Sequence, residues 1–291
     1  MNKLRVLVTG AAGQLGQALQ ASELPYQFIF LDKDQLDVCD VVQIQKAFLC
    51  HKPHVVIHAA AFTGVDSAEE NDDQAFEINE WGSASIAKMC AKKNSKMIYL
   101  SSDYVFNGTQ HSPYTEDAQP EPVNLYGESK LAGETRVLKE LGTRALVIRT
   151  SWLFSEFGHN FVKTMVQHIK AQCELRVISD QIGSPTYAVD LADWLVQLIP
   201  LLWQGRASGI YHASGSGSCS WYELAQTIAA QLLERGVIQQ QARIHPVTAS
   251  DYAAKAVRPA YSALNNQKLA QALGINIHSW QQMLKRCLEH I

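Results

Sequence analysis

Val8-Thr9-Gly10-Ala11-Ala12-Gly13-Gln14-Leu15-Gly16 sets three glycines at the spacing G-x-x-G-x-x-G. The apolar run over residues 4–8 precedes it and a helix-forming segment over residues 16–20 follows, so the glycines occupy a strand-to-helix turn. In such a turn one glycine permits the sharp reversal, one lets the backbone approach a pyrophosphate, and one allows the helix to pack on the strand. The helix beyond offers free N–H groups and the positive end of its dipole to phosphate oxygens. Placed after the first strand, Gly10, Gly13 and Gly16 point to a dinucleotide site; a bare strand-to-helix turn is the plainer alternative.

The same alternation continues outward. Residues 26–31 read as a second strand, 41–48 as a helix, Pro53 as a breaker and 54–58 as a strong β run. A helix over 79–92, a strand over 96–101, a helix over 126–141 and a strand over 144–150 follow. Strands and helices alternating at this spacing predict an α/β fold: a doubly wound parallel sheet with helices on both faces. Beyond Thr150 the regularity thins to a Gly/Ser-rich stretch at 214–218 and helices over 222–234 and 267–273. The expected organisation is a dinucleotide-binding domain over 1–150 and a smaller α/β substrate lobe over 151–291. A return segment near 186–213, with a strand at 209–212, is expected to rejoin the first domain.

Composition removes several function classes. The chain has 291 residues, 47% hydrophobic and 18% charged, which fits a globular protein with a sizeable core and excludes disorder or fibre. Lys and Arg number 25 against 28 Asp and Glu, with no basic block, so no nucleic-acid partner is expected. No apolar stretch reaches the length of a membrane span, and the first one is broken at Thr9-Gly10, too early for a signal-peptide core. A cytoplasmic protein is expected. Cys39, Cys50, Cys90, Cys173, Cys219 and Cys287 form no C-x-x-C pair, and His51 and His54 lack a second ligand pair, so neither disulfides nor a metal site is expected.

Two further patterns carry chemistry. Tyr126 and Lys130 stand four apart, on one face if the segment is helical. A phenol is a poor acid–base group at neutral pH, and a nearby ammonium is expected to draw its pKa down. An exposed helix face is the plainer reading of the same spacing. Ser101-Ser102-Asp103 closes an apolar strand and puts the Ser102 hydroxyl at the carboxyl edge of the sheet, where doubly wound folds bind ligands; a cap or turn role is its alternative. At the end of the second strand, Asp32 is placed to accept from an adenosine ribose while Lys33 is placed to attract a 2′-phosphate, which leaves NADH and NADPH both open. Turn or capping duty accounts equally well for Asp32 and Asp37.

Together these features resemble the extended short-chain dehydrogenase/reductase family, a Rossmann-like fold acting mostly on nucleotide-linked sugars. Further blocks are similar to its dTDP-4-dehydrorhamnose reductase branch: residues 36–40, 58–66, 101–108, 126–134, 149–152, 180–186 and 258–262, in order over nearly the whole chain. The resemblance implies Tyr126 as proton donor, Lys130 as its electrostatic and ribose-binding partner, and Ser102 as the group that orients a carbonyl. It implies cofactor contacts from Gly13, Gln14, Leu15, Asp32, Asp37, Val38, Ala61, Phe62 and Thr63, and sugar-nucleotide contacts from Asp103 and Trp152; core packing is the alternative for Trp152. The implied activity is NAD(P)H-dependent reduction of a dTDP-linked 4-keto-6-deoxy sugar, in nucleotide-sugar and cell-surface polysaccharide biosynthesis. Alternatives within the fold are a nucleotide-sugar epimerase or dehydratase, or a non-catalytic regulatory subunit like the methionine adenosyltransferase β subunit. Some relatives bridge a dimer through a metal on acidic side chains; Ala18 and Val189 stand at those positions here, so a monomer or weak homodimer is expected.

Overall fold

The computed structural model describes residues 3–171, 174–252 and 254–291; Cys173 lies outside them. The first half runs β1 (Arg5–Thr9), α1 (Gln14–Ala21), β2 (Gln27–Leu31), α2 (Val41–His51), β3 (Val55–His58), α3 (Val65–Ala68) and α4 (Asp72–Phe76). A π-helical turn, Glu77–Gly82, leads into α5 (Ser83–Lys93), then β4 (Lys96–Ser102), α6 (Leu125–Leu141) and β5 (Ala145–Thr150). The second half contains β6 (Leu153–Phe154), α7 (Phe161–Lys170), β7 (Leu175–Ile178), β8 (Ile182–Gly183), β9 (Thr186–Tyr187) and α8 (Ala188–Trp203). It ends with β10 (Gly209–His212), β11 (Cys219–Ser220), α9 (Trp221–Glu234), β12 (Ile244–Val247), α10 (Gln267–Leu273) and α11 (Trp280–Leu288).

Six strands form the main sheet in the order β10-β5-β4-β3-β1-β2, every neighbour parallel. β1, β3, β4 and β5 are buried nearly end to end because helices cover both faces, which is why they appear in the sequence as unbroken apolar runs. The pleat sorts their side chains. Val6, Val8, Ile57, Ile98 and Ile148 face α1 and α8, while Leu7, Val56, Met97, Tyr99 and Val147 face α2, α5 and α6. The first of these cores continues into the second half through Val162, Met165, Leu224 and Trp280, with no break at residue 150. Ala18 is fully buried within it.

β1 sits between β2 and β3: Thr9 pairs with Leu31 on one side and His58 on the other. The winding direction reverses there, and the crevice beyond the carboxyl ends of the strands at such a switch point is where open α/β sheets bind ligands. The helix expected over residues 79–92 is present as the π turn plus α5, a difference set by tertiary contact: Asn79 is clamped to the backbone of Phe62. Cys39, Cys50, Cys90, Cys219 and Cys287 are free thiols. No helix among the described residues is long and apolar enough to cross a membrane.

Two histidines are buried in this frame. On β3, His58 bonds Thr9 Oγ1 through Nδ1 at 2.7 Å and Ser83 Oγ through Nε2 at 3.1 Å. Burial, with Lys130 nearby, pushes its pKa down to about 3; burial and Arg149 push His212 of β10 down to about 3 as well. A base held below its unfolded value contributes stability that is complete above pH of about 6.5 and is lost as the pH falls towards 3. Thermal unfolding followed down this range is expected to show a steep acid limb, its slope shrinking by about one proton for each histidine replaced by asparagine. A slope unchanged in both variants contradicts the assignment.

Candidate active site

The carboxyl ends of β1, β3, β4 and β5 open onto one cavity of about 640 Å³. At its base lies the glycine turn. Gly10 has φ +69°, and a Cβ there would stand 2.6 Å from the Ala60 nitrogen, so the turn is pressed against the chain leaving β3. Gly16 is pressed equally close to Ala11, which brings α1 down onto the turn. Gly13 has ordinary backbone geometry and its missing side chain faces the cavity; a Cβ there would meet only the Gly10 carbonyl, at 3.3 Å. No side chain caps the start of α1, so its first N–H groups are left to a ligand. A diphosphate fits this cradle in shape and in hydrogen-bond donors.

Gly10, Gly13, Gln14, Leu15, Gly16, Ala61, Thr63, Ser102, Asp103, Tyr126, Lys130 and Trp152 all line the cavity. Asp32, Asp37, Val38 and Phe62 do not. Asp32 Oδ1 accepts from the backbone nitrogens of Asp34 and Gln35 at 3.0 and 3.1 Å, and Asp37 Oδ1 accepts from Cys39 N at 2.9 Å, so in this structure both carboxylates hold turns. Val38 is buried beside Gly82, and the Phe62 backbone is held by Asn79.

α6 delivers Tyr126 and Lys130. Asn124 caps it, its Oδ1 accepting from Gly127 N at 2.8 Å, and Gly127 lets the first turn approach the chain after β4: a Cβ there would stand 2.1 Å from Tyr104 O. Tyr104 and Tyr126 meet edge to face, ring centres 5.9 Å apart. Lys130 is buried, its Nζ 4.4 Å from the centre of the Tyr99 ring. Ser102 Oγ donates to Asp103 Oδ1 at 3.1 Å and accepts from Tyr104 N, so it caps a turn and also faces the cavity. Asp103 Oδ2 accepts from Ser151 Oγ at 3.0 Å and Ser262 Oγ at 2.6 Å. Burial nonetheless raises the Asp103 pKa to about 6 against the pull of these three hydroxyls.

The expected lowering of the phenol is corrected by the structure. Burial pushes Tyr126 up to about 12, with the Ser102 hydroxyl opposing, and pushes Lys130 down to about 7, with Glu134 opposing. Desolvation dominates at both groups: the same apolar surroundings that disfavour a phenolate also discharge the lysine. Tyr126 therefore stands in the cavity as a neutral phenol, the protonated form that an acid needs.

Trp152 forms the opposite wall. Its φ of +46° is left-handed backbone that a bulky residue rarely takes, a strain concentrated at functional sites. The indole is held by a parallel stack on Trp221, ring centres 3.4 Å apart, and by Gly183, where a Cβ would stand 2.3 Å from the ring. Trp221, Phe161, Leu224, Asn160 and Ser151 join the lining without having been singled out in the sequence, since their roles depend on folds of the second half back over the sheet. Glu134, four residues beyond Lys130, was legible as the next member of the same helical stripe.

Among the described residues no group of three or more His, Cys, Asp or Glu is placed to hold a metal ion. A parallel sheet with a glycine turn at its switch point, and Ser102, Tyr126 and Lys130 converging on the crevice above, defines an extended short-chain dehydrogenase/reductase. More narrowly, residues 4–291 match the family model described as the RmlD substrate binding domain, and the chain belongs to that family. It is 40% identical to the spore coat polysaccharide biosynthesis protein SpsK of Bacillus subtilis, over 98% of this chain and 97% of the relative. It is 38% identical to the dTDP-4-dehydrorhamnose reductase of Aggregatibacter actinomycetemcomitans, over 97% of each. The crystal structure of dTDP-4-dehydrorhamnose reductase from Bacillus anthracis in complex with NADP superposes with a TM-score of 0.90 at 38% identity, covering 100% of both chains.

Proposed function

We propose that this chain reduces the 4-keto group of dTDP-4-dehydro-β-L-rhamnose to give dTDP-L-rhamnose, with NADPH or NADH as reductant. The observation that carries the reading is the convergence of Ser102, Tyr126 and Lys130 with the glycine cradle on one cavity, in a chain alignable end to end with dTDP-4-dehydrorhamnose reductases. The Gly10–Gly16 turn and the free N–H groups of α1 would hold the cofactor's diphosphate, with Gln14, Leu15, Ala61 and Thr63 beside it. Asp32, Asp37 and Val38 would lie toward the adenosine end. Bound there, the reduced nicotinamide supplies the hydride that the ketone carbon accepts.

The chain's own residues manage the oxygen. Ser102, by turning its hydroxyl hydrogen from Asp103 to the carbonyl, stabilises the negative charge that grows on that oxygen. Tyr126, neutral at physiological pH, gives its proton to that oxygen. The Lys130 ammonium favours the phenolate left behind, and the same ammonium would bond a nicotinamide ribose hydroxyl. Asp103 and Trp152 face the space left for the sugar nucleotide.

The test supplies purified protein and NADPH with dTDP-glucose and the upstream 4,6-dehydratase and epimerase that generate the 4-keto-L-sugar. Stoichiometric oxidation of NADPH that requires the epimerase is the expected result. Oxidation without the epimerase moves the substrate to the unepimerised 4-keto sugar, and no oxidation by folded protein overturns the reading in favour of a binding role. A nicotinamide that co-purifies and never exchanges overturns it in favour of an epimerase or dehydratase.

A further inference from the structure

Beneath the cavity lies a charge cluster that the reaction as described leaves unused. Tyr126, Lys130 and Glu134 recur at four-residue intervals on α6 and so fall along one side of the helix. Glu134 is 2% exposed and Arg149 of β5 is 1% exposed. Arg149 donates through Nε to Glu134 Oε1 at 2.9 Å and through Nη2 to Oε2 at 2.7 Å, while Ser101 Oγ donates to Oε1 at 2.5 Å. One carboxylate thus ties the helix bearing Tyr126 to the strand residue just before Ser102 and to the strand that leads into Ser151 and Trp152. Buried ion pairs are often replaceable by apolar residues without loss of stability, so stability alone gives little reason for this one.

We propose that Glu134 is a positioning residue for the reduction, holding Tyr126 and Ser102 in mutual register through Arg149 and Ser101 and keeping the charge on Lys130. This deepens the function proposed above and rests on it. The groups facing Lys130 are Tyr126 and Glu134 on its own helix, Tyr99 of β4 and His58 of β3, with Asp103 beyond Tyr126 and Arg149 behind Glu134. Tyr99 is held neutral by burial, and so is His58, whose ring stacks on it at 5.9 Å. Glu134 is accordingly the anion that opposes the discharge of Lys130 by burial.

The experiment follows kcat and the affinity for NADPH against pH, together with Tm, in the unaltered protein and in three variants. Both functional readouts are expected to decline on the alkaline side as Lys130 loses its proton. Glu134→Gln, which keeps the shape but not the charge, is expected to move that alkaline limb down by about one pH unit or more. Arg149→Met, which frees the carboxylate to act on Lys130 alone, is expected to move it up. Glu134→Asp keeps the charge but cannot reach Ser101 and Arg149 together, so kcat should fall with the limb in place. A merely structural role lowers Tm and kcat and leaves every limb where it was, and that result in any folded charge-removing variant overturns the proposal. If Glu134→Gln does not fold, the direction of the Arg149→Met shift decides. Absence of turnover in the unaltered protein would overturn the proposed reaction, while the NADPH-affinity limb would still read the effect of Glu134.

Discussion

Tyr126→Phe is expected to lower kcat by about a hundred- to ten-thousand-fold, the span that a positioned general acid contributes, while leaving NADPH affinity within a small factor of the unaltered protein. The change deletes one hydroxyl from a half-buried ring and keeps the edge-to-face contact with Tyr104, so the fold should be untouched. The size of the loss follows from the surroundings. Ser102 is an alcohol, far too weak an acid to give up its proton, and Lys130 lies one helical turn beyond Tyr126 over the Tyr99 ring, so neither is a ready substitute donor. Comparing single-turnover rates and fluorescence titrations of NADPH for the two proteins checks both halves. Turnover retained in the phenylalanine variant contradicts the assignment of the acid.

Gly10→Ala carries the second large effect, and it acts on stability. The residue has φ +69°, where a side chain costs about 1–2 kcal/mol. The added methyl would also collide with the Ala59–Ala60 backbone, which cannot swing aside as a side chain can, at a further cost of about 1–3 kcal/mol. For a chain of this size the sum corresponds to a fall in Tm of roughly 3–8 °C, accompanied by weaker NADPH binding as the turn shifts. Two other glycines separate the causes. Gly142 also has positive φ, +52°, but open space around it, so Gly142→Ala should show the backbone cost alone and bind NADPH normally. Gly13→Ala should fold nearly as well as the unaltered protein and lose affinity, because its methyl projects into the cradle. Equal behaviour of all three variants contradicts the division of labour among the glycines.

The alternating first half was legible because parallel strands buried on both faces, with short amphipathic helices between them, leave a period that local sequence carries. The second half was less so. β6, β8, β9 and β11 are two residues long and pair with partners distant in sequence, so no local alternation marks them. α8 is apolar nearly all round and has Pro200 inside it, which hides both its period and its extent. α7 does carry a helical stripe, Val162, Met165, Val166 and Ile169, visible in the sequence at the proper spacing. In the site, the spacing of Tyr126 and Lys130 and the end of β4 at Ser102 could be read directly. Their proton affinities could not, because burial sets them and burial comes from the packing of α6 on β4 and β5. The strained backbone of Trp152 and the seat of its indole on Gly183 and Trp221 are likewise products of tertiary contact.

In the proposed reaction the ketone carbon would take its hydride from the reduced nicotinamide and the oxygen its proton from Tyr126. The most direct measurement uses NADPH carrying deuterium at the transferable position of nicotinamide C4, with the 4-keto-L-sugar generated in place, and examines the sugar product by mass spectrometry and NMR. One deuterium at sugar C4 of dTDP-L-rhamnose is expected for each NADPH consumed, with loss of that product in Tyr126→Phe. A product without deuterium at C4, or label retained on a cofactor that never leaves the protein, would contradict it.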